Sequence, residues 1–326
     1  MDILSPFKSL SIRSKIWLIL LLAVGVLSHG FLLGNAYGIF VWPIFIISLV
    51  RSKFWRFPHV RWTAFYSAVL VGFMLVIGLL RSFHIHPEPK AGKQLTILDY
   101  NLFFKNQHKS QIVQEIQAHP ADLIVFQEYT PAWEKALSSI ATQFPYRRTF
   151  AHAGSHGLAI YSKYPLHDYE LIQVDTLLPF AQVVNIEAGN AHCQLINAHL
   201  PSPAVVVENP DRFMKLARGN HLQRRWAYRR IMAQVADRSA AASLMIGDLN
   251  TISTEPVFRE IKHEWTDCWS RVGSGWGFTF PHTQGIDQPF LRLDYAMIRG
   301  AIRPIEMEIL PGSSSDHLGI KLQVEI

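Results

Sequence analysis

"QLTILDYNLFF", residues 94–104, begins as a buried strand and then puts an asparagine, Asn101, where the apolar run should continue. Leu95, Ile97, Leu98 and Tyr100 supply the strand character, and the polar residue marks its end. The stretches that follow repeat the arrangement. "SQIVQEIQAHP" (110–120) carries apolar residues at helical spacing and stops at Pro120, and "ADLIVFQEY" (121–129) is another apolar strand, closed by Gln127 and Glu128. Short strand patterns continue in "GLAIYSKYPL", "AQVVNIEA", "HCQLINAHL", "ASLMIGDLN", "RLDYAMIRG" and "HLGIKLQVEI". One longer helix is predicted over "HLQRRWAYRRIMAQVADRS", residues 221–239. Many strands with few helices between them predict two packed sheets flanked by helices over residues 94–326.

Upstream the composition changes. Residues 16–34 and 62–80 are 19-residue runs without Asp, Glu, Lys or Arg, long enough to cross a hydrocarbon core of roughly 30 Å as helices. Residues 36–50 form a shorter run containing Pro43. Residues 1–81 are therefore expected to be a membrane anchor of three transmembrane helices, and "SFHIHPEPKAGK" (82–93) a polar linker. A cleaved signal peptide fits less well, because "VGVLSHG" lacks a small-residue cleavage site and further apolar runs follow at once. Lys8, Arg13 and Lys15 precede the first run, and Arg51, Lys53, Arg56 and Arg61 lie between the second and third. Basic segments stay inside, so three spans would leave everything after Arg81 outside. Loss of the middle span would reverse that.

The chain's net charge of +6 divides unevenly. Residues 1–93 hold ten Lys/Arg against two Asp/Glu, net +8, which leaves 21 against 23, net −2, for residues 94–326. A C-terminal part without net positive charge is a poor gripper of nucleic-acid phosphates. Cys193 and Cys268 are the two cysteines; they could pair in an oxidising compartment or remain small buried thiols.

Polar residues that chemistry could use recur at the ends of the expected strands. Asn101, Glu128 and His199 each follow an apolar run, Asp248 and Asn250 close "LMIG", Asp294 interrupts "RLDYAMI", and Asp316 and His317 precede the last strand. Singly, most read as turn or surface residues. Asp294 is harder to dismiss, since a buried carboxylate costs several kcal/mol unless paired, and His317 is the obvious partner. Strand ends fix side chains well, so neighbouring ends can converge several groups on one point.

Taken in order, "YN", "QE", "NAHL", "GDLN", "RLDY" and "SDH" resemble the endonuclease/exonuclease/phosphatase superfamily, the deoxyribonuclease I-like metal-dependent phosphoesterases, over residues 94–326. The resemblance implies an α/β (α+β) four-layer sandwich of two packed mixed sheets flanked by helices. It implies that Asn101 and Glu128 belong to the metal end of the site, with Asp316 beside them. His199 would contact the phosphate, Asp248 and Asn250 would handle the attacking water, and Asp294 would orient His317. Phosphoester hydrolysis needs a hard cation, an oriented water and donors to the equatorial oxygens. Oxygen donors such as Glu128 with Asn101 or Asp316 suit Mg²⁺ or Mn²⁺. Whether Asp248 or His317 accepts the water's proton stays open; Asp248 is the preferred base. Tyr100 stands where many relatives carry Trp, and Phe103 where some nucleases carry an acid. Trp276 and Phe278 of "WGFTFP" and Arg224 and Arg225 of "RRWAYRR" are candidate substrate contacts.

The expected function is a membrane-anchored, divalent-metal-dependent phosphoesterase. It would act on a phosphodiester or phosphomonoester of a lipid-linked or cell-envelope substrate, from a bacterial cytoplasmic membrane, with the catalytic domain periplasmic or extracellular. An extracytoplasmic nuclease acting on nucleic acid and an inactive envelope binding module are the alternatives.

Overall fold

The computed structural model describes residues 92–174, 178–202, 213–236, 240–282, 288–312 and 314–326. The three expected membrane spans lie outside the described residues. Among the described residues no helix is long and apolar enough to cross a membrane.

Two six-stranded sheets form the body. The first holds β1 (Gln94–Asn101), β2 (Leu123–Gln127), β3 (Tyr146–Phe150), β4 (Leu158–Ser162), β11 (Arg303–Leu310) and β12 (Gly319–Glu325), in the order β11-β12-β1-β2-β4-β3. The second holds β5 (Leu166–Val174), β6 (Leu178–Ala188), β7 (Ala191–Ala198), β8 (Ala242–Asp248), β9 (Thr266–Asp267) and β10 (Asp294–Gly300), in the order β5-β6-β7-β8-β10-β9. The expected pair of packed mixed sheets is present. The sequence patterns do not separate out β3, β5, β9 and β11, which are the edge strands of the two sheets, each paired on one side only.

Period-two alternation decides which side chains meet between the sheets. Leu95 and Ile97 of β1, Val125 of β2, Leu195 of β7 and Leu244 and Ile246 of β8 share one buried cluster. Each contributes roughly 1.5–3 kcal/mol by leaving water. The intervening positions face outward onto helices. Leu98, Ile124 and Phe126 pack with Ile112 and Ile116 of α1 (Lys109–Ala118) and Trp133 of α2 (Pro131–Ala136). Thr130 caps α2 by accepting from the Trp133 N–H at 3.2 Å, with Pro131 in the first turn. On the other sheet, Ala227, Tyr228 and Ile231 of α4 (Phe213–Ala236) and Phe258 and Ile261 of α5 (Pro256–Glu264) cover Ile196 and Met245. Short helices α3 (Ser138–Ala141) and α6 (Trp269–Val272) complete the elements. α4 begins eight residues earlier than the pattern from 221 suggested.

Chain direction makes the site. Each sheet contains one parallel pair, β1–β2 and β7–β8, linked through α1 and α4 respectively. Parallel strands end at the same edge, so Asn101 sits level with Gln127 and, in the other sheet, the β7 end reaches the β8 end. β10 and β12 run antiparallel to β8 and β1, which brings their beginnings to that edge: Asp294 lies opposite Asp248, and Ile320 opposite Asp99.

Candidate active site

Going up the space between the sheets, apolar side chains give way to a polar layer and then to charged groups. The polar layer consists of Asp99, Gln127, Gln182 and Asn197, all fully buried. Gln127 Nε2 donates to Asp99 Oδ1 at 2.8 Å and to Asn197 Oδ1 at 3.0 Å. Asn197 Nδ2 returns to sheet one through the Phe126 carbonyl at 3.0 Å and accompanies Gln182 Oε1 at 3.0 Å. These amides tie the two sheets together directly beneath the strand ends. Gly247 has φ +133°, and a Cβ there would lie 2.2 Å from the Ala198 carbonyl oxygen; only glycine lets β7 and β8 approach so closely.

Above this layer, Asp248 is the hub. Its Oδ2 accepts from Asn101 Nδ2 and from Asn250 Nδ2, each at 3.0 Å, and its Oδ1 accepts from the Asn250 backbone N–H at 2.8 Å. His199 Nε2 stands 3.6 Å from Asp248 Oδ2 and His317 Nε2 3.8 Å from the same oxygen. His317 Nδ1 is hydrogen-bonded to Asp294 Oδ2 at 2.8 Å. The structure therefore brings together Asn101, His199, Asp248, Asn250, Asp294 and His317.

Burial sets the ionisation of these groups. Burial alone would lower the His317 pKa, but the charges of Asp294 and Asp248 outweigh it and raise it to about 10. Burial holds His199 neutral, assisted by the charges of His156 and His317. Asp248 is pushed above the usual carboxylate range by burial, against the opposing pull of His317. A carboxylate so raised is a better proton acceptor than an exposed one.

Glu128 and Asp316 form the other end. Glu128 adopts φ +57° and Asn250 φ +48°. Asparagine tolerates that region, whereas for glutamate it stores strain, typically of order 1–3 kcal/mol. Glu128 Oε2 accepts from the Phe104 N–H at 2.8 Å, and Asn101 Oδ1 accepts from the Phe103 N–H at 3.1 Å. Burial, with Asp316 adding to it, raises Glu128 to about 7, and burial also raises Asp316. Two half-buried carboxylates, both raised by burial and beside an amide oxygen, are hard donors that gain from a divalent cation. Asp248, Asp294 and His317 also place ligand atoms within 4.8 Å of one another. That cluster could hold a metal, but His317 Nδ1 is engaged by Asp294 and Asp248 by three N–H donors. The Glu128 end fits a hard cation better.

The remaining candidates lie apart from this cluster. Trp276 and Phe278 stack on each other, centroids 5.9 Å apart at 8°, and line a neighbouring cleft of about 440 Å³ with Leu318 and Ile309. The ring set against His317 is Phe280, at 4.8 Å. Arg224 is buried on Glu255, and Arg225 pairs with Glu260. Both guanidinium groups are engaged within the protein. Cys193 and Cys268 are free, buried thiols.

Ser315 and the 152–157 loop were missed by reading strand ends alone. Ser315 Oγ donates to the Asn101 carbonyl at 2.7 Å, while the His317 N–H donates back to Ser315 Oγ at 3.3 Å. The Ser155 carbonyl accepts from the His199 ring. Asn197, which interrupts the apolar end of β7 two residues before His199, is a legible signal for the polar layer.

The model of the endonuclease/exonuclease/phosphatase family matches residues 100–317. No curated protein matches the chain. Among similar solved structures, the endonuclease/exonuclease/phosphatase from Bacteroides vulgatus is 15% identical with a TM-score of 0.59, covering 72% of this chain and 99% of that one. TDP2 of D. rerio in complex with a single-strand DNA product is 15% identical with a TM-score of 0.57, covering 72% and 100%. The mannosyl-6-phosphatase of Bacteroides thetaiotaomicron is 14% identical with a TM-score of 0.56, covering 71% and 100%. At these identities the likeness establishes the fold.

Proposed function

Because the chain belongs to the endonuclease/exonuclease/phosphatase family, we propose that it is a divalent-metal-dependent phosphoesterase whose water-activating base is Asp248. The observation that carries this reading is the Asp248 carboxylate, oriented by the amides of Asn101 and Asn250 between the imidazoles of His199 and His317.

Asp248 takes a proton from water as the water oxygen bonds to phosphorus and the phosphorus–oxygen bond to the leaving group breaks. His317, kept cationic by Asp294, stabilises the charge on the phosphoryl oxygens, while neutral His199, its ring N–H given to the Ser155 carbonyl, flanks Asp248. Mg²⁺ or Mn²⁺ held by Glu128, with oxygens of Asn101 and Asp316, would supply charge neutralisation at the reacting phosphate.

The substrate we propose is a lipid-linked or envelope phosphoester, met by a catalytic domain that residues 1–81 anchor to a membrane. Support comes from the apolar runs 16–34 and 62–80 and from the −2 charge of residues 94–326. Nuclease action is the second reading, favoured by the likeness to a TDP2 structure that holds single-strand DNA.

Phosphate or headgroup release from polyprenyl pyrophosphates, phospholipids and plasmid DNA, with Mg²⁺ or Mn²⁺, separates these readings. Lipid turnover abolished by Asp248→Ala and Glu128→Ala supports the first. DNA cleavage with silent lipids replaces it by the second. A cytoplasm-only reporter active at the C-terminus would overturn the outward placement.

A further inference from the structure

We propose that Arg224 is a positioning residue for the reaction, a buried guanidinium that locks together the two chain segments leaving His199 and Asp248. The proposal rests on the phosphoesterase reading above and assigns Arg224 no contact with substrate.

Arg224 sits on α4, outside the catalytic cluster, yet it is only 3% exposed. Its Nη2 donates to Glu255 Oε2 at 2.8 Å. The same Glu255 oxygen accepts from Thr251 Oγ1 at 3.1 Å, and Thr251 directly follows Asn250. Arg224 Nη1 reaches the Pro201 carbonyl at 3.4 Å, two residues beyond His199. Asn220, one turn earlier, accepts from Arg224 and donates to the Ser202 carbonyl at 2.7 Å.

The segments so joined are interlocked at the site itself. The Leu200 N–H donates to the Asp248 carbonyl at 3.0 Å, and Asn250 Nδ2 donates to the Leu200 carbonyl at 3.0 Å. Asn250 adopts φ +48°, a turn conformation that asparagine tolerates and that leaves its amide bonded to both Asp248 and Leu200. Arg224 braces the two segments from behind. A guanidinium suits the task because its planar fork serves two acceptors at once, whereas an ammonium offers a point charge. Arg225 and Arg229 contrast with it: both pair with Glu260 and are far more exposed.

The test uses the full chain with bis(p-nitrophenyl) phosphate and Mn²⁺, well below the melting temperature. Arg224→Met is expected to lower kcat at least tenfold with KM within twofold of wild type. Arg224→Lys should recover part of that loss, and Glu255→Gln added to Arg224→Met should cost little more. Glu260→Gln should change nothing. A raised KM with unchanged kcat would make Arg224 a substrate contact and overturn the proposal. Unchanged kinetics with a lowered melting temperature would overturn it equally. If Arg224→Met does not fold, Arg224→Lys and Glu255→Gln carry the same kcat-against-KM comparison. Wild-type turnover that survives Asp248→Ala would instead sink the phosphoesterase assignment. In that event, displaced His199 ring resonances in Arg224→Lys, unmoved in Glu260→Gln, still report the positioning role, and unmoved resonances in both refute it.

Discussion

His317 Nδ1 lies 2.8 Å from Asp294 Oδ2, with both side chains almost sealed from solvent. A carboxylate in that position fixes the imidazole tautomer and favours the cation. Asp294→Asn keeps the shape and removes the charge that raises His317. The expected result is a kcat loss on the order of 10²-fold or more, with the basic limb of the pH–rate profile moving toward lower pH. An unmoved limb would contradict the pairing.

The same shift predicts a stability dependence. The His317 pKa is raised from 6.5 to about 10 in the fold, so its contribution is fully present below pH 6.5 and is lost as pH rises through 10. Denaturant titrations between pH 7 and 10.5 should show wild type losing more stability than Asp294→Asn.

Glu128 gives the metal end of the site a pH dependence of its own. Its carboxyl is raised to about 7, so below that pH a proton competes with the cation. Apparent Mn²⁺ affinity should weaken as pH falls from 8 to 6, by up to about tenfold per unit below 7. Metal-free protein should lose stability as pH rises from 4.5 through 7, the range over which ionised Glu128 is destabilising in the fold. Added metal should restore it. Metal affinity independent of pH would remove Glu128 from the ligand set.

Asp248→Asn should separate activity from stability. Burial raises the Asp248 carboxyl, so removing its charge relieves a desolvation cost, which offsets the loss of about 1–3 kcal/mol from the asparagine NH2 facing one of the N–H donors that now reach Asp248. Metal-free Asp248→Asn should melt close to wild type while turnover falls by roughly 10²–10⁴-fold, the range for a lost general base. A turnover loss no larger than the drop in folded fraction would show that Asp248 is structural.

Gly157→Ala tests the loop beside His199. The added Cβ would fall 1.8 Å from the Tyr129 carbonyl oxygen, next to the Tyr129 N–H bond to the Gly157 carbonyl at 3.0 Å. The expected cost exceeds about 3 kcal/mol by chemical denaturation, with kcat falling as Ser155 leaves the His199 ring.

Much of the site was legible because strand ends carry a strong local signal. Asn101, Glu128, His199 and Asp248 each follow an apolar run that periodicity identifies, and six motifs in fixed order narrowed the reading to one superfamily. Arg224 shows why the rest was not. A run of arginines on a helix reads as a charged face; only the packing of α4 shows one of them buried on Glu255 while its neighbour meets Glu260. The aromatic segment behaves alike: alternation names Trp276, Phe278 and Phe280 equally, and the fold selects Phe280 for His317.

By itself the sequence determined the two-sheet architecture, the strand ends that hold the chemistry and the charge division at residue 93, since all three follow from local periodicity and composition. Tertiary structure decided what no local pattern encodes: that β1, β2, β7 and β8 end at one edge where β10 and β12 begin, that buried amides tie the sheets beneath it, and which ionic partner each side chain finds. Those outcomes depend on contacts between residues far apart in the chain, such as Asn101 with Asp248, on the burial that shifts Glu128, Asp248 and His199 from their ordinary ionisation, and on the buried carboxylates that raise His317 against it.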